Sequence, residues 1–408
     1  MRITITLALA LSLVACHAPI EPKQEDGPSC EDKDADATFL TYNVAEGWSM
    51  VPYVGIRTPL IVEALSTARY DVACLQEAWH DDIRDAILGG LALPPEQSFV
   101  ADTVDLGETG EDICDAQDLG PLRACAEAKC SRLQEPRETG ICVRKECSKD
   151  VLELFNKKKT SCLRCLGAMA GHPTADVFKA CTGDGASRIH GGRNGIMLLS
   201  RSSRLYNKEI LPLPASSANK VALLATVRVP SSPGGEMISV EVACTHVSAS
   251  NAIPPSHSGY KTWDEEKIAQ IEKITARLTE RSKEHGDASM VFLGDLNSGP
   301  EGKYGVTASG AEVWNAVASA GFEDPATGEN GTKCSACKEN TLGGGDGAHI
   351  LDHVTFKNAK DAPTKLAEVC SDRMFDKTKT VTGYDGKEFQ TDLSDHYGIR
   401  VLLDVSKK

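Results

Sequence analysis

Beyond its first residues the chain has no apolar stretch long enough to cross a bilayer as a helix, which excludes a membrane protein of several spanning helices. It has no internal repeat, so a solenoid or array is excluded as well. Positive charge is scarce: 44 Lys and Arg stand against 58 Asp and Glu, a net charge of -14. No basic patch interleaved with aromatics offers a polyanion a general landing surface. A bound divalent cation can still reverse the field inside a cleft, so charge alone does not exclude a phosphate-bearing substrate.

What is present is globular in character, with 41% apolar and 25% charged residues over 408 positions. Met1-Arg2 and the apolar run Ile3 to Val14 read as an export signal ending in Leu13-Val14-Ala15-Cys16. That ending resembles the bacterial lipoprotein box, which makes Cys16 the expected site of lipid attachment; ordinary cleavage after Ala15 or Ala18 is the alternative. Residues 1-16 are thus a signal peptide, and 17-37, with Pro19, Pro22, Gly27, Pro28 and many charges, are expected to be a flexible tether. The expected location is the bacterial envelope or cell surface, with the lipid as membrane anchor.

Fifteen cysteines minus Cys16 leave 14, an even number that favours disulfides in an exported chain. Cys74 and Cys244 sit inside apolar runs and are expected to be buried free thiols. Eight of the others fall in a segment of about 101-190 that has few large apolar residues. It reads as a disulfide-stapled helical insertion, with helices over Leu122 to Leu133 and Val151 to Lys159. The pairs Cys162/Cys165 and Cys334/Cys337 have spacing that zinc also uses, an alternative less expected outside the cytoplasm.

Short β-rich runs recur at Phe39 to Val44, Val72 to Leu75, Ile196 to Leu199, Leu223 to Val229, Ile238 to Cys244, Met290 to Leu293, Ile350 to Phe356 and Ile399 to Leu403. Helices lie between some of them. One is expected to start at Thr58-Pro59, and another at about Asp264 with Ile268, Ile271, Ile274 and Leu278 on one stripe. Strands and helices mixed in this way indicate a layered α/β protein.

Polar residues capable of chemistry follow these strands. In Met290-Val291-Phe292-Leu293-Gly294-Asp295-Leu296-Asn297, a buried strand delivers Asp295 and Asn297 to the same side of its end. The others are Thr41-Tyr42-Asn43-Val44, Leu75-Gln76-Glu77, Gly192-Arg193-Asn194-Gly195 before a strand, Thr245-His246-Val247, Leu351-Asp352-His353-Val354 and Leu393-Ser394-Asp395-His396. Seven motifs in this order resemble the endonuclease/exonuclease/phosphatase superfamily, which includes deoxyribonuclease I and bacterial sphingomyelinases. The resemblance runs over residues 38-404, interrupted by the cysteine-rich segment.

The resemblance implies a two-sheet β-sandwich flanked by helices, the four-layer deoxyribonuclease I-like fold, with a site where loops of both sheets converge. It implies that Glu77 is the main Mg²⁺ ligand, helped by Asn43 and Asp395, with Mn²⁺ a substitute; hard oxygen donors suit either ion. Asp295 and Asn297 would orient water and hold phosphate, His246 and His396 would handle protons, and Asn194 would lie near the phosphate. Asp352 would fix a histidine ring, and both His246 and His396 remain open as its partner. His353 is expected to point away and pack. His80, His172, His190, His257, His285 and His349 are assigned surface or loop roles.

Repair-type relatives carry an acid two positions after the first Asn. Here Ala45 stands there, with Glu46 next, which argues against an abasic-site endonuclease. The expected activity is hydrolysis of an extracellular phosphodiester by a monomer, with a lipid head group or small phosphoester ahead of nucleic acid. A secreted nuclease and an inactive binding module are the alternatives.

Overall fold

The computed structural model describes residues 27–47, 51–101, 114–131, 136–157, 194–215, 220–231, 235–250, 259–328, 331–343 and 347–407, with isolated positions between 162 and 182 and at 255. Cys16, His172, His190 and His257 lie outside the described residues.

The first half supplies strand β1 (Ala37–Asn43), helix α1 (Val54–Thr67), β2 (Val72–Gln76), α2 (Asp81–Leu91) and β3 (Ser98–Val100). The insertion carries α3 (Ala116–Lys129), α4 (Pro136–Glu146) and α5 (Ser148–Asn156). Next come β4 (Met197–Ser200), β5 (Tyr206–Leu213), β6 (Lys220–Pro230), β7 (Met237–His246), α6 (Trp263–Glu284), β8 (Ser289–Asp295) and α7 (Ala311–Ser319). The last part holds two short strands, β9 (Ala336–Cys337) and β10 (Ala348–His349), then β11 (Asp352–Lys357), β12 (Thr364–Met374), a hairpin of β13 (Lys379–Thr382) and β14 (Glu388–Thr391), and β15 (Gly398–Lys407).

Two sheets are stacked: β12-β15-β1-β2-β4-β3 and β11-β8-β7-β6-β5. Between them lies the main core, built from the inward faces of strands that alternate in and out: Phe39, Val72, Leu198, Leu223, Val242, Val291 and Val401. The outward face of the first sheet packs Leu40, Tyr42 and Leu75 against Ile61 and Leu65 of α1 and Ile83 and Ile87 of α2. The second sheet does the same with Ile271, Ile274 and Leu278 of α6 and Val313 and Val317 of α7. This is the four-layer arrangement of helix, sheet, sheet and helix.

α6 begins where its sequence calls for it, at a capping box in which Thr262 accepts from the Glu265 amide and the Glu265 side chain returns to the Thr262 amide. α1 begins earlier than Thr58-Pro59, so Pro59 lies inside it. The cause is tertiary. Arg57, fully buried, donates to the carbonyls of Pro52, Ala45 and Leu393 and pairs with Glu46 at 3.1 Å, holding the turn before Thr58 in helical form.

The disulfides correct one expectation. Cys74 and Cys244 are not free thiols but bonded to each other, from β2 to β7 across the two sheets. Their Cα atoms are 5.4 Å apart, well inside the spacing of about 10 Å usual for packed sheets, so the layers converge here. Each run looked like ordinary core, and the pairing of residues 170 apart exists only once the sheets stack. Cys30 is bonded to Cys370 and buried, which fastens residues expected to be loose tether to strand β12.

The insertion is helical and stapled, as expected, by Cys114–Cys162, Cys125–Cys147 and Cys130–Cys142, around a small core of Leu119, Leu122, Leu154 and Phe178. Cys334 and Cys337 form a disulfide, so their sulfurs are not thiolate ligands for zinc.

Candidate active site

Strand register brings the dispersed motifs to one end of the sandwich. Asn43 pairs with Gln76 across the parallel β1 and β2, which sets Glu77, the next residue, beside it. In the other sheet His246 pairs with Asp295, and Asp295 with Asp352, so three strands deliver their functional residues in one row. Gly294 makes this row possible: with φ at 155°, a Cβ there would lie 2.2 Å from the Thr245 carbonyl oxygen.

Asp295 is the centre. Its Oδ2 accepts from Asn43 Nδ2 at 3.0 Å and lies 3.7 Å from His246 Nε2 and 3.9 Å from His396 Nδ1. The last two are contacts, not hydrogen bonds. Its Oδ1 accepts from the Asn297 amide at 2.8 Å, and Asn297 Nδ2 donates to the Val247 carbonyl. Asn43 Nδ2 also donates to Glu77 Oε1 at 3.1 Å, linking the sheets through one amide. Glu77 and Asn297 both have left-handed backbones, φ 61° and 47°, a strain that non-glycine residues accept where neighbouring structure dictates the geometry.

The two histidines are in opposite electrostatic settings. Burial opposes charge on His396, but Asp352, whose Oδ2 lies 2.7 Å from His396 Nδ1, together with Asp295 and Asp395, holds the imidazole well above its ordinary value. Burial, then Lys220 and His396, hold His246 well below it. The two rings are thus pushed in opposite directions, His396 toward its charged form and His246 toward its neutral one. Asp352 serves His396, which closes the question the sequence left open. Burial and then the charge of Asp352 push Asp295 up to about 6.

Glu77 and Asp395 could hold a divalent cation. Burial, and next the charge of Asp395, raise the Glu77 carboxyl above its usual range, the sign of two acids near each other without enough positive charge. A hard cation relieves that repulsion, and the Asn43 amide supplies a further oxygen if it turns from its present bond to the Ala45 amide. Asp295, Asp352 and His396 form a tighter cluster, with ligand atoms within 4.8 Å of one another. His396, pushed toward its charged form, sets positive charge in that cluster, which favours the Glu77 side for a cation.

Asn194 is buried, and its Nδ2 has no hydrogen-bond partner among the described residues, a donor that a phosphate oxygen would satisfy. It precedes Gly195, whose carbonyl binds the Ala78 amide, so it stands beside the Glu77 turn.

Two residues of this region are not evident from sequence. Lys220 opens β6, is buried, and is brought by burial down to about 8 despite the charges of Glu77 and Asp295. Its Nζ sits 5.9 Å from the Trp79 ring centre. Trp79 lies 3.4 Å through Nε1 from Glu77 Oε2 and faces the His246 ring at 6.2 Å. A single lysine at the edge of an apolar strand reads as a solvated boundary, so no pattern points to Lys220.

Glu46 is buried under α1 with Arg57 and supplies no acid to the site, in keeping with the departure at Ala45. His353 packs as expected, bonded to Asp324 and to the Ser298 carbonyl and stacked on Trp314. His80 is buried rather than on the surface, as the residue that precedes α2. His285 binds Glu241, and His349 binds Thr307.

Among solved structures, sphingomyelinase C from Streptomyces griseocarneus superposes with a TM-score of 0.50 at 16% identity, over 90% of this chain and 98% of that one. The fold is that of the endonuclease/exonuclease/phosphatase superfamily. Also similar are an endonuclease/exonuclease/phosphatase from Beutenbergia cavernae DSM 12333 (TM-score 0.48, 15% identity, 91% and 72% of the two chains) and beta toxin from Staphylococcus aureus (0.49, 13%, 90% and 99%). No protein-family model matches the chain, and no curated protein sequence does. The endonuclease/exonuclease/phosphatase fold thus comes from three-dimensional likeness and from the motif order, at an identity too low for sequence comparison.

Proposed function

We propose that the chain is a Mg²⁺-dependent phosphodiesterase, with Mn²⁺ as substitute, acting on an extracellular substrate. The observation that carries this reading is the Asp295 carboxyl lying 3.7 Å from His246 Nε2 and 3.9 Å from His396 Nδ1, two rings whose surroundings push them in opposite directions, with Glu77 and Asn43 alongside. Paired titratable groups pushed in opposite directions are what an acid and a base require.

A cation held by Glu77, Asp395 and Asn43 would offset charge developing on the phosphate. Asp295 and Asn297 orient the attacking water. His396, kept protonated by Asp352, places a positive donor against a non-bridging oxygen, and the spare Asn194 Nδ2 takes another. His246, neutral and buried, is able to accept or pass on a proton.

The substrate we favour is a lipid head group or small phosphoester rather than DNA. The net charge of -14 lacks the lysines and arginines that neutralise successive phosphates. Lipid attached at Cys16 would hold the enzyme where lipid substrate is concentrated. An inactive binding module has no physical need of this complete set of acids, amides and histidines. The deciding experiment offers plasmid DNA, sphingomyelin or phosphatidylcholine vesicles, and bis(p-nitrophenyl) phosphate at matched Mg²⁺ and pH, with and without EDTA. Release of choline phosphate is expected. Rapid DNA nicking without it promotes the nuclease, and no turnover of any substrate promotes the binding module.

A further inference from the structure

The segment Cys334-Ser335-Ala336-Cys337 carries none of the site residues expected from sequence but is bonded directly to the strand and the loop that do. Ser335 is fully buried and uses three groups on three segments. Its Oγ accepts from the amides of Leu351 at 2.9 Å and Asp352 at 3.2 Å, where β11 begins. Its carbonyl accepts from the Tyr397 amide at 2.8 Å, the residue after His396, and its own amide donates to the His349 carbonyl at 2.9 Å. One serine thereby spans the strand that carries Asp352 and the loop that carries His396.

The same loop reaches the site a second time. The Asn340 amide donates to the Cys337 carbonyl, and Asn340 Nδ2 donates at 2.9 Å to the carbonyl of Ser394. Ser394 Oγ in turn donates to the Asn43 carbonyl at 2.6 Å. The Cys334–Cys337 bridge closes a ring only three residues apart, and short loops are where a disulfide contributes least to global stability. What it does restrict is the backbone of Ser335.

We propose that Ser335, locked between Cys334 and Cys337, is a positioning residue that sets the Asp352–His396 hydrogen bond. The inference rests on the phosphodiesterase reading for its catalytic consequence, but the hydrogen bond itself can be observed without substrate. Loss of the Ser335 hydroxyl removes the acceptor of the Leu351 and Asp352 amides at the base of β11, and loss of the bridge frees the Ser335 backbone that binds Tyr397. Either change loosens the connection that holds Asp352 in place against His396.

The test uses the full mature protein. The proton bridging His396 Nδ1 and Asp352 is followed by ¹H NMR at low temperature in metal-free samples, and assigned by its absence in His396→Asn. Wild type is compared with Ser335→Ala and with the double variant Cys334→Ala/Cys337→Ala. Both should broaden or lose the bridging proton while keeping their near-UV circular dichroism, and lower kcat toward bis(p-nitrophenyl) phosphate about tenfold to a hundredfold with KM little changed. A bridging proton as sharp as in wild type in both variants overturns the proposal, whatever happens to kcat. Should Ser335→Ala fail to fold, the double variant, which keeps every atom of Ser335, decides alone. If wild type hydrolyses nothing, the functional reading fails while the proton still decides the positioning role.

Discussion

The Asp352 carboxylate holds Nδ1 of His396 at 2.7 Å, whereas His246 Nδ1 has no hydrogen-bond partner among the described residues. Two histidines at the same end of one sandwich are thus prepared for different protonation states by what stands behind each ring. Asp352→Asn replaces an acceptor with a group that can donate, and removes the charge that keeps His396 protonated. Turnover should fall by about two to four orders of magnitude with the fold intact, measured as kcat beside a thermal melt. A rate within twofold of wild type would mean the pair does no chemistry.

Glu77→Ala removes the acid whose carboxyl is raised by burial and then by the charge of Asp395. Calorimetric Mg²⁺ affinity should drop by more than the ~10–100-fold typical of losing an outer-shell partner. Activity that survives both this change and EDTA would exclude a cation at this position.

Cys74 and Cys244 join the two sheets close to the site end, across a separation of 170 residues. Replacing both with alanine should cost about 2–5 kcal/mol, read as a lower urea midpoint, with a steeper slope as the denatured chain loses its cross-link and expands. An unchanged midpoint would show that packing alone holds the sheets together.

His353 is buried with Nδ1 3.0 Å from Asp324 and Nε2 2.8 Å from the Ser298 carbonyl, so both ring nitrogens face acceptors. Burial disfavours its charge, but Asp324 and Ser298 raise it above the usual histidine value. A folded value above the unfolded one, about 6.5, means a contribution fully present below that pH and lost as pH rises through the folded value. The melting temperature should therefore fall with rising pH across that window, and Asp324→Asn should flatten the dependence. Equal slopes in the two proteins would remove His353 as the source.

Cys16 is proposed to carry lipid. Cys16→Ser should move the protein from the membrane pellet to the soluble exported fraction. Equal partitioning of both forms, with Cys16 found as a free thiol, would refute the anchor.

Much of this molecule is legible without coordinates. All eight apolar runs are strands, because alternation between an inter-sheet core and a helix-covered face requires apolar residues on both sides over several positions. Asn43, Glu77, His246, Asp295 and Asp352 stand at strand ends in the sequence and in space, since strand register is a local property that carries a motif with it. What tertiary structure alone decided are relations between segments far apart: the Cys74–Cys244 bond, the choice of His396 over His246 by Asp352, the burial of Lys220 beside Trp79, and the early start of α1 around Arg57. In each, the residue's own neighbours in sequence leave the partner undetermined or favour another reading. The deciding partner is delivered by sheet stacking or by a loop crossing between layers, and neither leaves a periodicity in the chain.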